Sequence, residues 1–170
     1  MSKPTKSRVQ KKTVLIVGEG ADEEAFLNYL KGQLLDRGAG LSIKIKNAKG
    51  KGAKHVIEWT VRQSAVAEYD KVAALFDTDQ DWTPAVKKLA KKKGIVLLKS
   101  ETCFEAMMLR LLGVTPDANS KNLKAQFSPY VNDDATRSEN YAAHFDPQKL
   151  EERRHLEPTI DALLGLFKIQ

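Results

Sequence analysis

The amino-acid sequence predicts an α/β fold: a mostly parallel, four-stranded sheet flanked by helices. Two observations carry this reading. Short β-branched runs alternate along the chain with segments whose apolar residues recur at helical spacing, the pattern of strand–helix–strand units with right-handed crossovers. The polar residues that break the pattern fall at the C-terminal ends of those runs, where open α/β sheets place reactive groups beside the switch point in strand order.

Residues 13–18 (TVLIVG) form a β-branched run closed by glycine. Over residues 22–37, Ala25, Phe26, Tyr29, Leu30, Gln33 and Leu34 recur at helical spacing, so a helix follows the first strand. Residues 41–46 (LSIKIK) alternate apolar and polar as a second strand, and the glycine-rich stretch 47–54 turns the chain. Val56, Ile57, Thr60, Val61 and Ser64 then suggest a second helix. Residues 71–77 (KVAALFD) read as a buried third strand ending in acid. Thr83 followed by Pro84 is an N-cap with proline at the first helical position; it opens a lysine-rich helix that Gly94 ends. Residues 95–99 (IVLLK) make the fourth strand. A helix is expected over residues 100–112, with Thr102 and Glu105 at capping-box spacing. The periodicity fades over residues 113–146 and returns over 147–167, which predicts loops plus one or two helices packed on the sheet.

The expected organisation is a flexible basic arm over residues 1–12, a core over 13–112 and a loop and helical extension over 113–170. A strand order of 2-1-3-4 would make the ends of the first and third strands neighbours.

At 170 residues the chain has the size of one ordinary domain. A net charge of +6 and a pI near 9.3 favour a polyanionic partner, because phosphates attract Lys and Arg and release counterions. Lys3, Lys6, Arg8, Lys11 and Lys12 crowd the N-terminal arm, and Lys87, Lys88, Lys91, Lys92 and Lys93 crowd the third helix. The single cysteine, Cys103, suits a reducing compartment and excludes a structural zinc finger. With no apolar run near 20 residues and no secretory signal core, a cytoplasmic location without membrane contact is expected.

The candidate chemistry lies in the acids. Mg²⁺ prefers oxygen ligands and commonly takes one or two carboxylates, leaving positions for water and phosphate. In Asp77-Thr78-Asp79, residues two apart on a strand point to one side, so both carboxylates are expected to face one ion. Glu19, across the switch point, would supply a third ligand or the base that activates a water or hydroxyl, and Glu23, one helical turn on, shares its face. Carboxylates converging at one site repel one another unless a cation or proton intervenes. Asp22, Glu24 and Asp81 read instead as helix N-terminal charges.

Other chemistries fit poorly. Gly18-Glu19-Gly20 begins like a dinucleotide fingerprint, but Glu23 occupies the third glycine position and the acids would repel a pyrophosphate. No Gly-Lys-Ser/Thr phosphate loop exists, and His55, His144 and His155 are scattered singly. Cys103 reads as a packed thiol. A phosphoacceptor receiver domain would leave Glu19 and Glu23 unexplained and offers only Lys99 at its strand-end lysine position.

The blocks VLIVGEGADE (14–23) and FDTD (76–79) resemble the TOPRIM domain of primases, topoisomerases and OLD-type nucleases. SETCFE (100–105), followed by an apolar helix, is similar to a Ser-x-Pro-Cys-Phe-Glu segment of RloB-like proteins, small TOPRIM proteins associated with restriction and phage-defence loci. The resemblance covers about residues 14–112. It departs at Gly18, where RloB-like sequences often carry Cys, at Asp22, where Thr is common, and at Thr102, where Pro is usual.

The resemblance implies a Mg²⁺- or Mn²⁺-dependent nuclease-like centre in which Glu19 and Glu23 match paired glutamates and Asp77 and Asp79 match metal-binding acids. Ser100 and Glu105 match the third block. The chain is too short for the accessory domains of a primase or the clamp of a topoisomerase. A nuclease acting on DNA or RNA is therefore expected; the alternative is a non-catalytic interaction module on the same fold. Oligomeric state and a partner ATPase encoded nearby stay open. Residues 47–54 (NAKGKGAK) follow the second strand on the edge that holds the acids, so Lys49, Lys51 and Lys54 are expected to hold substrate phosphates.

Overall fold

The computed structural model describes residues 11–36, 38 and 40–168. Four strands, β1 (Lys12–Gly18), β2 (Leu41–Asn47), β3 (Lys71–Asp77) and β4 (Ile95–Ser100), pair in parallel in the order β2-β1-β3-β4. β1 opens one residue earlier than its β-branched run, at Lys12, because Lys12 N–H donates to Gly40 O at 2.8 Å. Most of the expected basic arm, residues 1–10, lies outside the described residues.

A parallel sheet must be covered on both faces, and the side-chain alternation of its strands assigns each face a set of apolar residues. Leu15, Val17, Ala74, Phe76 and Ile95 pack against Val56 and Ile57 of α2 (Gly52–Ser64) and Val86 and Ala90 of α3 (Pro84–Lys92). On the other face, Val14, Ile16, Ile43, Ala73, Leu75 and Leu98 meet α1 (Ala21–Leu34) and α4 (Phe104–Leu111). Thr83 caps α3 as its sequence predicts, accepting from Val86 N–H at 3.3 Å, and Gly94 follows with φ of 68°.

Three local expectations are corrected. Ser100 belongs to β4, and the next helix begins only at Phe104 with Cys103 at the N-cap position. Thr102 and Glu105 therefore form no capping box; the orphan N–H of Phe104 is taken by Asp77 Oδ1 at 2.9 Å, from the end of β3. The turn after β2 is shorter than expected, since Gly52, Ala53 and Lys54 already form the first turn of α2.

The aperiodic stretch holds a further helix, α5 (Ser120–Phe127), and two 3-10 turns. Asn119 caps α5 by accepting from Lys121 N–H at 3.0 Å. Helices α6 (Pro147–Arg153) and α7 (Pro158–Leu166) complete the described chain. This C-terminal region joins the α1–α4 core through aromatic contacts. Phe26 meets Phe104, Tyr141 and Phe145 with ring centroids 5.9, 5.3 and 6.1 Å apart. Hydrogen bonds fasten the same region to α1, with Tyr29 Oη donating to Phe145 O at 2.9 Å and Ser138 Oγ to Ala25 O at 2.9 Å. No described helix is long and apolar enough to cross a membrane.

Candidate metal centre

The site forms where β1 and β3 end side by side. Glu19 leaves β1 with its N–H donated to Leu75 O at 3.0 Å, which locks its backbone to β3. Its Oε2 then accepts the N–H of Asp77 at 2.8 Å. Glu23, at the third position of α1, reaches back to accept Gly20 N–H at 3.1 Å through Oε2. Glycine has no side chain to reciprocate, so this is half a capping box. Gly18 makes the approach possible: a Cβ there would sit 3.0 Å from Glu23 Cβ and 3.3 Å from Glu24 N. With only hydrogen at that position, α1 settles against the strand end and carries Glu23 into the interior, 6 % exposed.

Glu19, Glu23 and Asp77 thereby present carboxylate oxygens that all lie within 4.8 Å of one another. Mg²⁺ takes such oxygen donors, so the donor type suits the ion. Among the described residues, no Lys or Arg pairs with any of the three. Burial without a countercharge disfavours ionisation. Desolvation, reinforced by Glu19 and Asp22, pushes Glu23 up to about 8. Desolvation with Glu23, Glu19 and Asp79 pushes Asp77 up to about 9. Glu19 is also raised by burial, partly offset by the backbone N–H groups of Asp77 and Gly52. Near neutral pH the cluster holds protons or requires a cation.

The triad lines a cavity of about 670 Å³ that also contains Asp79, Cys103, Glu105, Lys51, Lys121 and Lys124. Asp79 is not among the three converging acids. Strand β3 stops at Asp77, so the two-residue alternation no longer holds, and Asp79 N–H turns aside to Thr102 O at 3.2 Å. Asp79 is exposed on the cavity wall, where its charge raises Asp77 and Glu19. Glu105, 8 % exposed, stands at the start of α4 and its charge bears on Asp77, Glu23 and Asp22. Asp22, assigned from sequence to helix-end electrostatics, is half-buried on the cavity wall and is itself raised, by burial first and by Glu105 next.

Ser100 lies in register with Asp77, fully buried, and its Oγ has no hydrogen-bond partner among the described residues. The Cys103 thiol is pushed up to about 11 by burial, which suits a packed thiol.

In the loop after β2, Lys51 lines the cavity, whereas Lys49 and Lys54 are exposed away from it. The loop is not a run of free amides. Lys49 N–H donates to Asn47 Oδ1 at 2.7 Å, Gly50 N–H to Glu19 O at 2.6 Å and Ala53 N–H to Gln80 O at 3.0 Å. Its backbone holds the acidic edge together, and Lys51 is what it offers outward.

Sequence reasoning missed α5, whose Lys121 and Lys124 complete the cavity wall. Its only signal is Asn119 before a segment with two buried apolar residues, Leu123 and Phe127, four apart.

Comparison of the chain with protein-family models, with curated proteins and with solved structures finds no match. The parallel sheet in order 2-1-3-4 with acids at the adjoining ends of β1 and β3 is consistent with a TOPRIM-like fold.

Proposed function

We propose that this protein is a TOPRIM-type, RloB-like nuclease that hydrolyses nucleic-acid phosphodiester bonds with Mg²⁺ or Mn²⁺, in a role linked to phage defence. The observation that carries the chemistry is the convergence of Glu19, Glu23 and Asp77 in a half-open cavity, with no Lys or Arg among the described residues paired to them. The defence role rests on the resemblance of the three sequence blocks.

Glu19, Glu23 and Asp77 would hold the ion, with Asp79 on the wall to act through water. When bound, the ion supplies charge neutralisation at the reacting phosphate. Once ionised beside the bound ion, Glu23 would accept a proton from an attacking water. The water oxygen would form a bond to phosphorus as one P–O ester bond breaks, and the departing oxygen would take up a proton equivalent to the one Glu23 received, restoring the carboxylate. Lys51 stands across the cavity to hold a phosphate.

The test is cleavage of a panel of DNA and RNA substrates, including tRNA and rRNA, with Mg²⁺ or Mn²⁺. Asp77→Asn and Glu19→Gln should abolish cleavage while nucleic-acid affinity persists. Metal-dependent binding without cleavage by the parent protein would point to the interaction module instead.

A further inference from the structure

Helix α5 separates two cavities. On one side lies the acidic cavity, and on the other a cavity of about 830 Å³ lined by Lys99, Arg110, Leu156 and Pro158. Ser120 and Leu123, in the first turn of α5, line both, so the two spaces meet at that turn.

The walls differ in chemistry. In the acidic cavity Lys51 faces from the loop after β2, and Lys121 and Lys124 face from α5. All three are exposed, and among the described residues none forms an ion pair, although acids line the same cavity. The charge of Lys124 bears on Asp22, but lysines not locked in an ion pair are available for an anionic ligand.

In the second cavity Arg110 Nε is held at 2.5 Å by Glu157, a residue only 8 % exposed. The pair is close to neutral, so Arg110 offers a fixed planar face rather than net charge. Leu156 beside it is 47 % exposed, one of the few large apolar side chains open to solvent among the described residues. A planar guanidinium and an open apolar side chain form a surface for a nucleobase.

We infer that a single strand of nucleic acid crosses α5, its phosphates held by Lys121 and Lys124 beside the acidic centre and its next bases lodged against Arg110 and Leu156 in the second cavity. This rests on the reading of the acidic centre as a nucleic-acid site, and it makes the C-terminal region a clamp for substrate. Each cavity has the size of an ordinary ligand pocket, which suits unpaired nucleotides and not a closed duplex.

Binding of fluorescein-labelled oligo(dT) and oligo(U) 12-mers, and of trimers, is measured by anisotropy with the full chain in EDTA over a series of salt concentrations. EDTA removes any dependence on metal. Lys121→Ala with Lys124→Ala should weaken 12-mer binding about tenfold and reduce the salt slope by about 1.4, two contacts at about 0.7 each. Ser120→Trp, which fills the junction at an exposed position, should weaken 12-mer binding about tenfold while leaving the trimer within about twofold. A blunt duplex of equal length should bind more weakly than the 12-mer; tighter binding of the duplex overturns the inference.

An unchanged slope in the double lysine variant, equal losses for 12-mer and trimer with Ser120→Trp, or no binding of either 12-mer by the parent also overturns it. Loss of affinity only when Lys88 and Lys92 of α3 are changed would place the strand on that helix and overturn it equally. Metal titration of the same proteins separates the two readings, since a protein that binds the 12-mer through Lys121 and Lys124 but takes no Mn²⁺ contradicts only the metal centre.

Discussion

The two faces of the sheet are built by the same alternation yet end differently. On the α2–α3 face, Leu15 and Val17 of β1 and Ala74 and Phe76 of β3 stay apolar to the strand ends. On the α1–α4 face the corresponding series run Val14, Ile16, Gly18 and Ala73, Leu75, Asp77, so each finishes on a residue that leaves the core pattern. Burial of a carboxylate without a countercharge costs several kcal/mol, and here the cost is concentrated on one face at one edge. A shared apolar core therefore supports an acidic centre on one side only.

The largest effect expected separates support from chemistry. Phe26→Ala should destabilise the protein by about 3–5 kcal/mol, and Leu15→Ala on the opposite face by about 2–5 kcal/mol. Only the first should also weaken Mn²⁺ binding, because Phe26 carries α1 and hence Glu23. Equal metal affinity in both variants, measured by calorimetry below their melting points, would erase the distinction.

Next comes Gly18→Ala. The added Cβ meets Glu23 Cβ at 3.0 Å, which should cost about 1–3 kcal/mol in chemical denaturation and lower metal affinity by displacing the glutamate.

A further effect is in pH dependence. Glu23 and Asp77 are pushed up to about 8 and about 9 in the folded protein, above the usual carboxylate range near 4. Their contribution to stability without metal is thus full below about pH 4 and is lost as pH rises toward 9. The melting temperature of metal-free Asp77→Asn should rise relative to the parent as pH increases from 5 to 9; a constant difference would show that Asp77 is not held protonated.

Much of this was legible in the sequence. Three of the strands are near-continuous apolar runs with sharp ends and β2 alternates, and the acids at the ends of β1 and β3 stand out because nothing in a buried strand accounts for them. What was illegible depends on contacts between distant segments. Helical spacing puts Glu23 on the face of Glu19, but its burial follows from the missing Cβ of Gly18. The strand period that pairs Asp79 with Asp77 ends two residues before Asp79. Glu105 and Thr102 match a capping box, but Asp77 takes the helix end from across the sheet. Lys121 and Lys124 reach the cavity on a helix with only two buried apolar residues, too few to leave a periodic trace.

Three converging carboxylates, partly protonated near neutral pH, have the donor set to hold one cation. Calorimetric titration of the full chain with Mn²⁺ at pH 7, repeated in buffers of different ionisation enthalpy, reads both the affinity and the protons released. The account predicts one ion bound with release of about one to two protons, and neither in Asp77→Asn. Binding without proton release, or no binding that Asp77→Asn removes, would contradict it.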